Sequence, residues 1–418
     1  SRQRPATMLL PALLLLASRA AGSARLALEW GEPVLVDTVG APGAPPNGPG
    51  LPDSFQRLDD AHFFGGRGSY SSDGGRSWAV AAPAMWSMYN LLPVGPGAWQ
   101  TVGSRTVGEA ADGQSWNMTA PKTFRLAAPG SSGRPAAGPI DVTTAAPFAT
   151  FSGVPYPGVN TTGPLARPAG DLTYGGLRMA NREYLLTMVV KWNGLQPEPS
   201  PPHEGLLPLH GFIPGSVVAF TSENAIDWRY STVVANATWG RKYVHYEPAY
   251  TPGFGLPNNT ETWPPSIWAF GGPSEHDLAT LSDDKTVMAV LRMDGDDLCS
   301  SDSYQYYHAA FSTDFGRSFT RPSPIEGAGC ARPRLKRLDS GPLLMTGGRM
   351  CVENVTGLFL WLNEDGMGGL KGGWTRHSIS YQHNRGWKGD RRYLFTDAVN
   401  STWADDRPRF DDETTPAP

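Results

Sequence analysis

SSDGGRSW, at residues 71–78, is an octapeptide whose pattern returns as STDFGRSF at residues 312–319. Acidic and hydroxyl side chains in such a segment bind nearby backbone amides, and glycine takes the positive φ of a tight hairpin turn. The terminal aromatic residue packs beneath the turn. The structural positions are Ser71, Asp73, Gly75 and Trp78 in the first copy, and Ser312, Asp314, Gly316 and Phe319 in the second.

Two degraded copies of this pattern predict a repeat architecture. TSENAIDW at 221–228 keeps the hydroxyl, acidic and tryptophan positions, and NEDG at 363–366 reaches Trp374 only after an insertion. The interval between the starts of the last two copies, 312 and 363, is close to one four-stranded propeller blade of about 40–50 residues.

The segments between the turns have the pattern of β-strands. Short apolar runs rich in β-branched or aromatic residues, bounded by Gly, Pro, Asp and Asn, occur at 184–192, 215–221, 286–293, 306–311 and 358–362. No convincing amphipathic helix follows the N-terminal region. These features predict an all-β propeller of one domain, with Pro- and Gly-rich surface insertions at 127–170, 195–209 and 251–273. A β-sandwich is the alternative fold, but it does not explain the repeated turn.

Composition excludes several classes of protein. The 418-residue chain contains 49 Gly and 39 Pro, too many helix breakers for a coiled coil or helical bundle. Its 11% aromatic content, with 14 Trp, opposes disorder. The 35 basic and 39 acidic residues leave no basic excess for phosphate groups, so we expect no nucleic-acid partner.

The N-terminal region predicts secretion. Residues 1–7 precede Met8 and are interpreted as extra residues, and residues 8–24 have the short apolar core and small-residue ending of a signal peptide. A buried N-terminal strand or helix is the alternative. The apolar run is shorter than the roughly 20 residues that a spanning helix needs, so we expect no stable membrane insertion. The mature domain is residues 25–418.

Glycosylation sequons and cysteines agree with export. The chain has six N-x-S/T sequons where composition predicts about two, at Asn117, Asn160, Asn236, Asn258, Asn354 and Asn400. Three cysteines permit one disulfide and one remaining thiol. No metal site is predicted, because no zinc-ligand spacing accompanies the cysteines and the MDGDD segment at 293–297 lacks the full calcium-loop pattern.

These motifs resemble those of the sialidases. The repeated turn resembles the Asp box of sialidases and related BNR-repeat propellers. The segment from 272 to 292 resembles the one in which a Glu opens a strand and an Arg closes the next, and the segment from 331 to 349 resembles the one with the last substrate arginine. The resemblance spans roughly residues 55–400 and is most specific from 272 to 375. It implies a six-bladed β-propeller.

The resemblance also implies roles for individual residues. A sialic acid carries a carboxylate, which planar guanidinium groups bind by paired hydrogen bonds, so Arg292 and Arg349 are predicted as two of three substrate arginines. Sialidases use a Tyr nucleophile, and Glu275 is predicted as the base that takes its proton. Asp60 is predicted as the acid/base residue, with Asp59 as its alternative.

Each of these residues also has a plainer interpretation. Glu275 alone could be a solvated carboxylate at a strand end, Arg292 an edge-strand arginine, and Arg349 a turn residue. Residues 52–60 lack the F/Y-R-I-P motif of the first substrate arginine, for which Arg57 is a poor substitute. No Y-S/T-x-L segment for the nucleophile precedes Pro418, so we expect a truncated chain with an incomplete last blade, or a lost nucleophile.

The predicted disulfide depends on the same resemblance. Cys299 and Cys330 flank strands that would carry site residues, and we predict a bridge between them, with Cys351 as the free thiol. The competing pair is Cys330 with Cys351.

The predicted function is that of a secreted, monomeric sialidase-like glycoside hydrolase that needs no cofactor. Its partners are sialylated or other acidic-sugar glycans, from which it removes terminal sialic acid or a related sugar acid. The alternative is a non-catalytic Asp-box propeller that binds glycans or proteins.

Overall fold

A computed structural model describes residues 9–14, 29–35, 55–57, 61–65, 69–80, 91–95, 97–102, 106–112, 115–126, 140–152, 167–191, 215–235, 273–293, 306–329, 331–352, 355–386 and 388. These residues form mostly β-sheet, as the sequence predicts. The strands of the first part are β1 (Leu9–Leu14), β2 (Glu29–Leu35), β3 (Phe55–Arg57), β4 (Phe63–Gly65), β5 (Ser69–Ser71), β6 (Ala79–Val80), β7 (Leu91–Gly95), β8 (Ala98–Thr101), β9 (Thr106–Glu109), β10 (Ser115–Met118), β11 (Lys122–Leu126), β12 (Ile140–Thr144) and β13 (Ala149–Ser152).

Longer strands make up the second part. They are β14 (Arg167–Arg178), β15 (Tyr184–Lys191), β16 (Gly215–Ser222), β17 (Asp227–Ala235), β18 (Pro273–Thr280), β19 (Val287–Met293), β20 (Tyr306–Ser312), β21 (Ser323–Gly329), β22 (Ala331–Arg337), β23 (Leu343–Val352), β24 (Val355–Asn363) and β25 (Thr375–Ser378). One helix, α1 (Ile379–Gly386), follows β25.

The described strands form sheets that differ in part from the predicted set of blades. Four sheets have four strands each: β3–β6, β12-β11-β8-β7, β18–β21 and β22–β25. Strands β14–β17 belong instead to a seven-stranded sheet, because β13 pairs in parallel with β17 at Thr150–Asp227 and Phe151–Trp228 and brings β10 and β9 with it. A ring of six separate four-stranded blades is therefore not what the described residues show.

Successive sheets pack face to face, so both faces of the central strands are buried. In β15, Leu186 and Met188 join a cluster with Phe151 and Trp228 from one side. Leu185, in the same strand, joins a cluster on the other side that includes residues of β18 and β19. Because side chains alternate across a strand, consecutive residues of β15 pack into different cores.

A third core lies between the sheets β18–β21 and β22–β25. Fully buried Tyr307 and Trp361 meet edge to face, with ring centroids 5.9 Å apart. The Trp361 Nε1–H donates to the Gly327 carbonyl at 2.9 Å, which satisfies the polar atom of this large side chain. This core holds the two sheets that carry the candidate site against each other.

The first strands of these two sheets run side by side in the same direction. Glu275, Asp277 and Leu281 of the β18 region meet residues 332, 335 and 337 of the β22 region in that order. Strand β18 also packs against β14, and β14 against β7. First strands that adjoin in this way are the arrangement of propeller blades.

The octapeptide turns connect the third and fourth strands of their sheets. In the first copy, the Ser71 Oγ accepts a hydrogen bond from the Gly75 N–H at 2.9 Å, and the Asp73 carboxylate accepts one from the Ser77 N–H at 2.9 Å. The second copy repeats both bonds, from Gly316 to Ser312 at 2.8 Å and from Ser318 to Asp314 at 2.9 Å. Gly75 and Gly316 have φ values of +85° and +74°.

In the two degraded copies, other residues occupy the key positions. Ser222, rather than Thr221, accepts the hydrogen bond, from the Ala225 N–H at 2.9 Å, and Ala225 has the positive φ of +58°. The acidic position is held by Asn224. In the last copy, the Asn363 side chain replaces the serine and accepts from the Gly368 N–H at 2.9 Å. These amide oxygens serve as acceptors as carboxylate and hydroxyl oxygens do.

Helix α1 and strand β1 differ from the sequence prediction. The helix was not predicted, although the Ser378 Oγ accepts a hydrogen bond from the Tyr381 N–H at 3.1 Å, as an N-cap serine does. Residues 9–14, inside the predicted signal peptide, form β1 and pair with β2. This pairing in the uncut chain does not test cleavage, so the signal peptide stays a prediction.

Candidate functional site

The candidate site lies at the end of the sheets opposite the octapeptide turns. Strand β18 begins and β19 ends there, as the Pro273–Met293 pair shows, and β20 begins and β21 ends beside them, as the Tyr306–Gly329 pair shows. The chain enters or leaves the segments 192–214, 236–272 and 294–305 at this same end. Long connections on one side of a rigid scaffold are a common setting for binding residues.

Glu275 is the centre of the site and binds two arginines. Its Oε2 accepts hydrogen bonds from the Arg292 Nη1 at 2.9 Å and from the Arg332 backbone N–H at 2.7 Å. Its Oε1 accepts one from the Arg332 Nε at 3.2 Å. Glu275 and Arg292 are buried. The structure thus brings together two predicted residues, Glu275 and Arg292, and adds Arg332, which sequence reasoning assigned no role.

Register shifts occur where the site residues lie. The pairing of β18 with β19 shifts by one residue between Pro273 and His276, around Glu275, and that of β22 with β23 shifts between Ala331 and Arg334, around Arg332. A third shift, between Gly348 and Cys351 of β23, surrounds Arg349. Such β-bulges redirect side chains and are frequent beside functional sites. The backbone of Arg349 therefore lies at the same end as Glu275.

Asp277 is a second carboxylate that links the two first strands. It accepts hydrogen bonds from the Leu335 N–H at 2.9 Å and the Leu278 N–H at 2.8 Å. Burial raises the pKa of Asp277 to about 6, although the positive charges of Arg334 and Lys336 and these hydrogen bonds act in the opposite direction. Although the whole residue is only half-buried, its carboxyl group is enclosed between the strands.

His308, on β20, is fully buried beside this region. Burial lowers its pKa to about 3, although a 3.3 Å contact between its Nδ1 and the Tyr306 carbonyl acts in the opposite direction. The imidazole is therefore neutral at physiological pH and packs in the core. His276 and His383 are buried as well.

Several predicted residues lie outside the described part of the chain. They are Asp59, Asp60, Cys299, Cys330 and the sequons Asn160, Asn236, Asn258, Asn354 and Asn400. Their predicted roles, including the disulfide, stay predictions. Arg57 lies in β3, Cys351 in β23, and Asn117 in β10, where it pairs with Thr150 and is partly buried.

A metal-binding cluster and a membrane-spanning helix are both absent from the described residues. Among them, no three His, Cys, Asp or Glu side chains lie close enough to hold a metal ion. The MDGDD carboxylates at 294–297 are outside these residues. No helix in the described segments is both long and apolar enough to cross a bilayer.

The raised pKa of Asp277 predicts a pH-dependent stability. Because the folded pKa of about 6 exceeds the ordinary value of 3.8, the protonated carboxyl stabilises the fold. This contribution is complete below about pH 4 and is lost as the pH rises through 6. It amounts to about 3 kcal/mol at 1.36 kcal/mol for each pKa unit. Urea unfolding at pH 4 and pH 7 measures this effect: the difference in unfolding free energy between the wild type and Asp277→Asn should change by most of this amount, about 2 kcal/mol.

Asp73→Asn is the control for this pH experiment. Hydrogen bonds from Ser77 lower the pKa of Asp73 to about 2. The stabilisation by ionised Asp73 is present above the ordinary pKa of an aspartate and is lost as the pH falls toward 2. The difference in unfolding free energy between the wild type and Asp73→Asn should therefore stay nearly constant between pH 4 and 7. A constant Asp277→Asn difference over the same range would contradict the assignment.

Comparisons with known proteins found similarity among solved structures alone. No family model matches it, and no curated protein matches its sequence. Solved structures that resemble it include the GH93 α-L-arabinofuranosidase of Fusarium graminearum, at 11% identity over 76% of this chain and 73% of the other, with a TM-score of 0.36.

Two other similar structures are a galactosidase and a sialidase. A GH43 β-1,3-galactosidase is 13% identical over 68% of this chain and 72% of its own, with a TM-score of 0.34. A Hadza microbial sialidase is 9% identical over 74% of this chain and 51% of its own, with a TM-score of 0.33. Likenesses this distant identify no family.

Proposed function

We propose that this protein is a secreted glycoside hydrolase of the sialidase type that removes an acidic sugar from glycoconjugates. The observation that carries the proposal is the arginine–carboxylate cluster of Glu275, Arg292 and Arg332, at the end of the sheets where β15 and β19 end and β16 and β18 begin. Guanidinium groups held rigidly by a carboxylate are suited to bind a second carboxylate, that of the sugar acid.

The sequence resemblance adds residues to this site. Glu275 and Arg292 have the spacing that the resemblance implies, and a register shift at the same end of the sheets surrounds Arg349. Within the proposal, Arg349 and Asp60 act as the further substrate arginine and the acid/base residue. Both roles stay predictions. The predicted signal peptide and sequons support secretion.

A substrate comparison tests the proposed reaction. The full chain, secreted from cultured cells, is incubated with 4-methylumbelliferyl N-acetylneuraminide and with the neutral 4-methylumbelliferyl galactoside. We expect release of the fluorophore from the acidic substrate alone, because only its carboxylate can bind the arginines. Hydrolysis of the neutral substrate, or of neither, would contradict the proposed activity.

One feature of the cluster favours a second candidate, a non-catalytic glycan-binding propeller. Both oxygens of Glu275 bind arginine groups, as a rigid recognition site requires and a proton-accepting base does not. Absence of fluorophore release, together with binding of a sialoside in an NMR titration, would select this function.

A further inference from the structure

Arg332 differs from Arg292 in its access to solvent. The Arg332 side chain is 46% exposed, whereas the Arg292 and Glu275 side chains are only 10% and 11% exposed. A ligand that arrives from solvent can therefore reach the guanidinium of Arg332, while Arg292 lies behind it against Glu275. The two arginines thus bind the same carboxylate but differ in how much of each side chain is exposed to solvent.

The backbone of Arg332 has a conformation that is costly for a non-glycine residue. Its φ is +51°, in the left-handed region. This conformation points the Arg332 N–H toward the Glu275 Oε2, at 2.7 Å, while the Arg332 Nε contacts the other oxygen at 3.2 Å. Glu275 thus holds both the main chain and the side chain of Arg332. Backbone strain of this kind persists where the surrounding structure enforces it and is frequent at binding sites.

We propose that Arg332 binds the carboxylate of the ligand and that Glu275 is a positioning residue, which fixes the orientation of Arg332, rather than the base. The identity of the ligand as an acidic sugar rests on the proposed function. The division of roles between Glu275 and Arg332 rests on the contacts described above. It differs from the assignment that the sequence resemblance implies, in which Glu275 accepts a proton and Arg332 has no part.

Arg332→Gly is the variant that separates recognition from folding. Glycine adopts a positive φ without strain, so this substitution removes the side chain at a position whose backbone suits glycine. Glu275 keeps its ion pair with the buried Arg292 and the hydrogen bond from the backbone of residue 332, so loss of the 46% exposed Arg332 side chain should cost less than loss of Arg292. We therefore expect a cooperative thermal transition like that of the wild type. Lys336→Ala, which removes an exposed positive charge from the same strand, is the matched control.

The probe is methyl α-N-acetylneuraminide, compared with its methyl ester in NMR titrations. The wild type should bind the acid roughly 10- to 100-fold more tightly than the ester, as expected for charge-assisted hydrogen bonds. In Arg332→Gly the ratio of the two affinities should fall close to 1, while Lys336→Ala should keep it. An Arg332→Gly variant that retains the wild-type ratio would overturn the inference.

The role of Glu275 is tested with Glu275→Gln and with the double variant Glu275→Gln/Arg332→Gly. If Glu275 acts through Arg332, Glu275→Gln lowers the acid-to-ester ratio several-fold, and the double variant has the same ratio as Arg332→Gly alone. If Glu275→Gln leaves this ratio unchanged and abolishes only hydrolysis, then Glu275 is a base and the positioning role is wrong.

Failure of the proposed function can be distinguished from failure of this inference by comparing binding with hydrolysis. A wild type that prefers the acid over the ester and loses this preference in Arg332→Gly, but hydrolyses no sialoside, supports the inference and contradicts the hydrolase. A wild type that hydrolyses the sialoside, with an Arg332→Gly variant that still prefers the acid over the ester, supports the hydrolase and contradicts the inference. Binding of neither probe contradicts both.

Discussion

Gly366→Ala is expected to lower the free energy of unfolding by about 2–5 kcal/mol. Gly366 lies in the last octapeptide-like turn with a φ of +68°, a conformation that costs other residues about 1–2 kcal/mol. An added Cβ would overlap the Gly341 carbonyl oxygen and would lie 2.9 Å from the Ser282 Cβ. Since both contacts belong to neighbouring turns, relief of this overlap requires backbone movement at about 1–3 kcal/mol more.

The clash would also disturb hydrogen bonds between the two sheets. The Ser282 N–H donates to the Gly366 carbonyl at 3.0 Å, and the Ser282 Oγ donates to the Asp365 carbonyl at 2.9 Å. These bonds connect the β18–β19 turn with the β24–β25 turn. A shift of Gly366 therefore weakens the contact between the sheets that carry Glu275 and Arg332.

Gly372→Ala is the matched control for this prediction. Gly372 has the same φ of +68°, but a Cβ there would meet nothing within 4 Å. Gly372→Ala should lower the free energy of unfolding only through the cost of a positive φ for alanine, about 1–2 kcal/mol. Urea unfolding of both variants measures the difference. Equal destabilisation by the two substitutions would show that the predicted overlap with Gly341 and Ser282 does not occur.

Arg292→Met is expected to destabilise the protein by about 3–5 kcal/mol, because it removes one partner of a buried ion pair. Methionine replaces most of the volume but leaves the buried Glu275 carboxylate with the 46% exposed Arg332 as its one charged partner among the described residues. Arg317→Met is the control. Its ion pair with Glu183, at 3.6 Å, has a 60% exposed arginine, so its loss should cost less than about 1 kcal/mol.

The double variant Arg292→Met/Glu275→Gln distinguishes a buried charge effect from lost packing. With a neutral side chain at 275, no uncompensated charge is buried, so the double variant should recover part of the stability lost in Arg292→Met. Chemical denaturation of the four proteins completes the cycle. Additive free energies of the two single substitutions would contradict the predicted coupling between Glu275 and Arg292.

Strands β15, β16, β19, β20 and β24 and the repeated turns could be predicted because they depend on local sequence. The hydroxyl, acidic and glycine positions of residues 71–78 and 312–319 form their hydrogen bonds within five residues of one another. The donors and the acceptors of these hydrogen bonds therefore both lie within the octapeptide itself. Helix α1 was missed because Ile379 is the only aliphatic residue among its eight, and its cap, Ser378, is a signal found only once the helix is known.

The nearness of Glu275 to Arg292 could also be predicted from the sequence. The two residues lie near the start of one strand and the end of the next, and antiparallel pairing brings such positions together. Nothing in the spacing, however, indicates that the two would bind each other instead of a ligand. That outcome depends on the burial of both side chains between the sheets.

Those five strands, the repeated turns and the nearness of Glu275 to Arg292 follow from the order of residues, because each depends on short-range chemistry or on one hairpin. The contact of Arg332 with Glu275 and the raised pKa of Asp277 arise from tertiary packing. Arg332 belongs to the next sheet, and its contact with Glu275 requires two first strands to run side by side, with a backbone at φ +51°. The pKa of Asp277 depends on how the same two strands exclude water from its carboxylate, since desolvation is a property of packing and not of residue order.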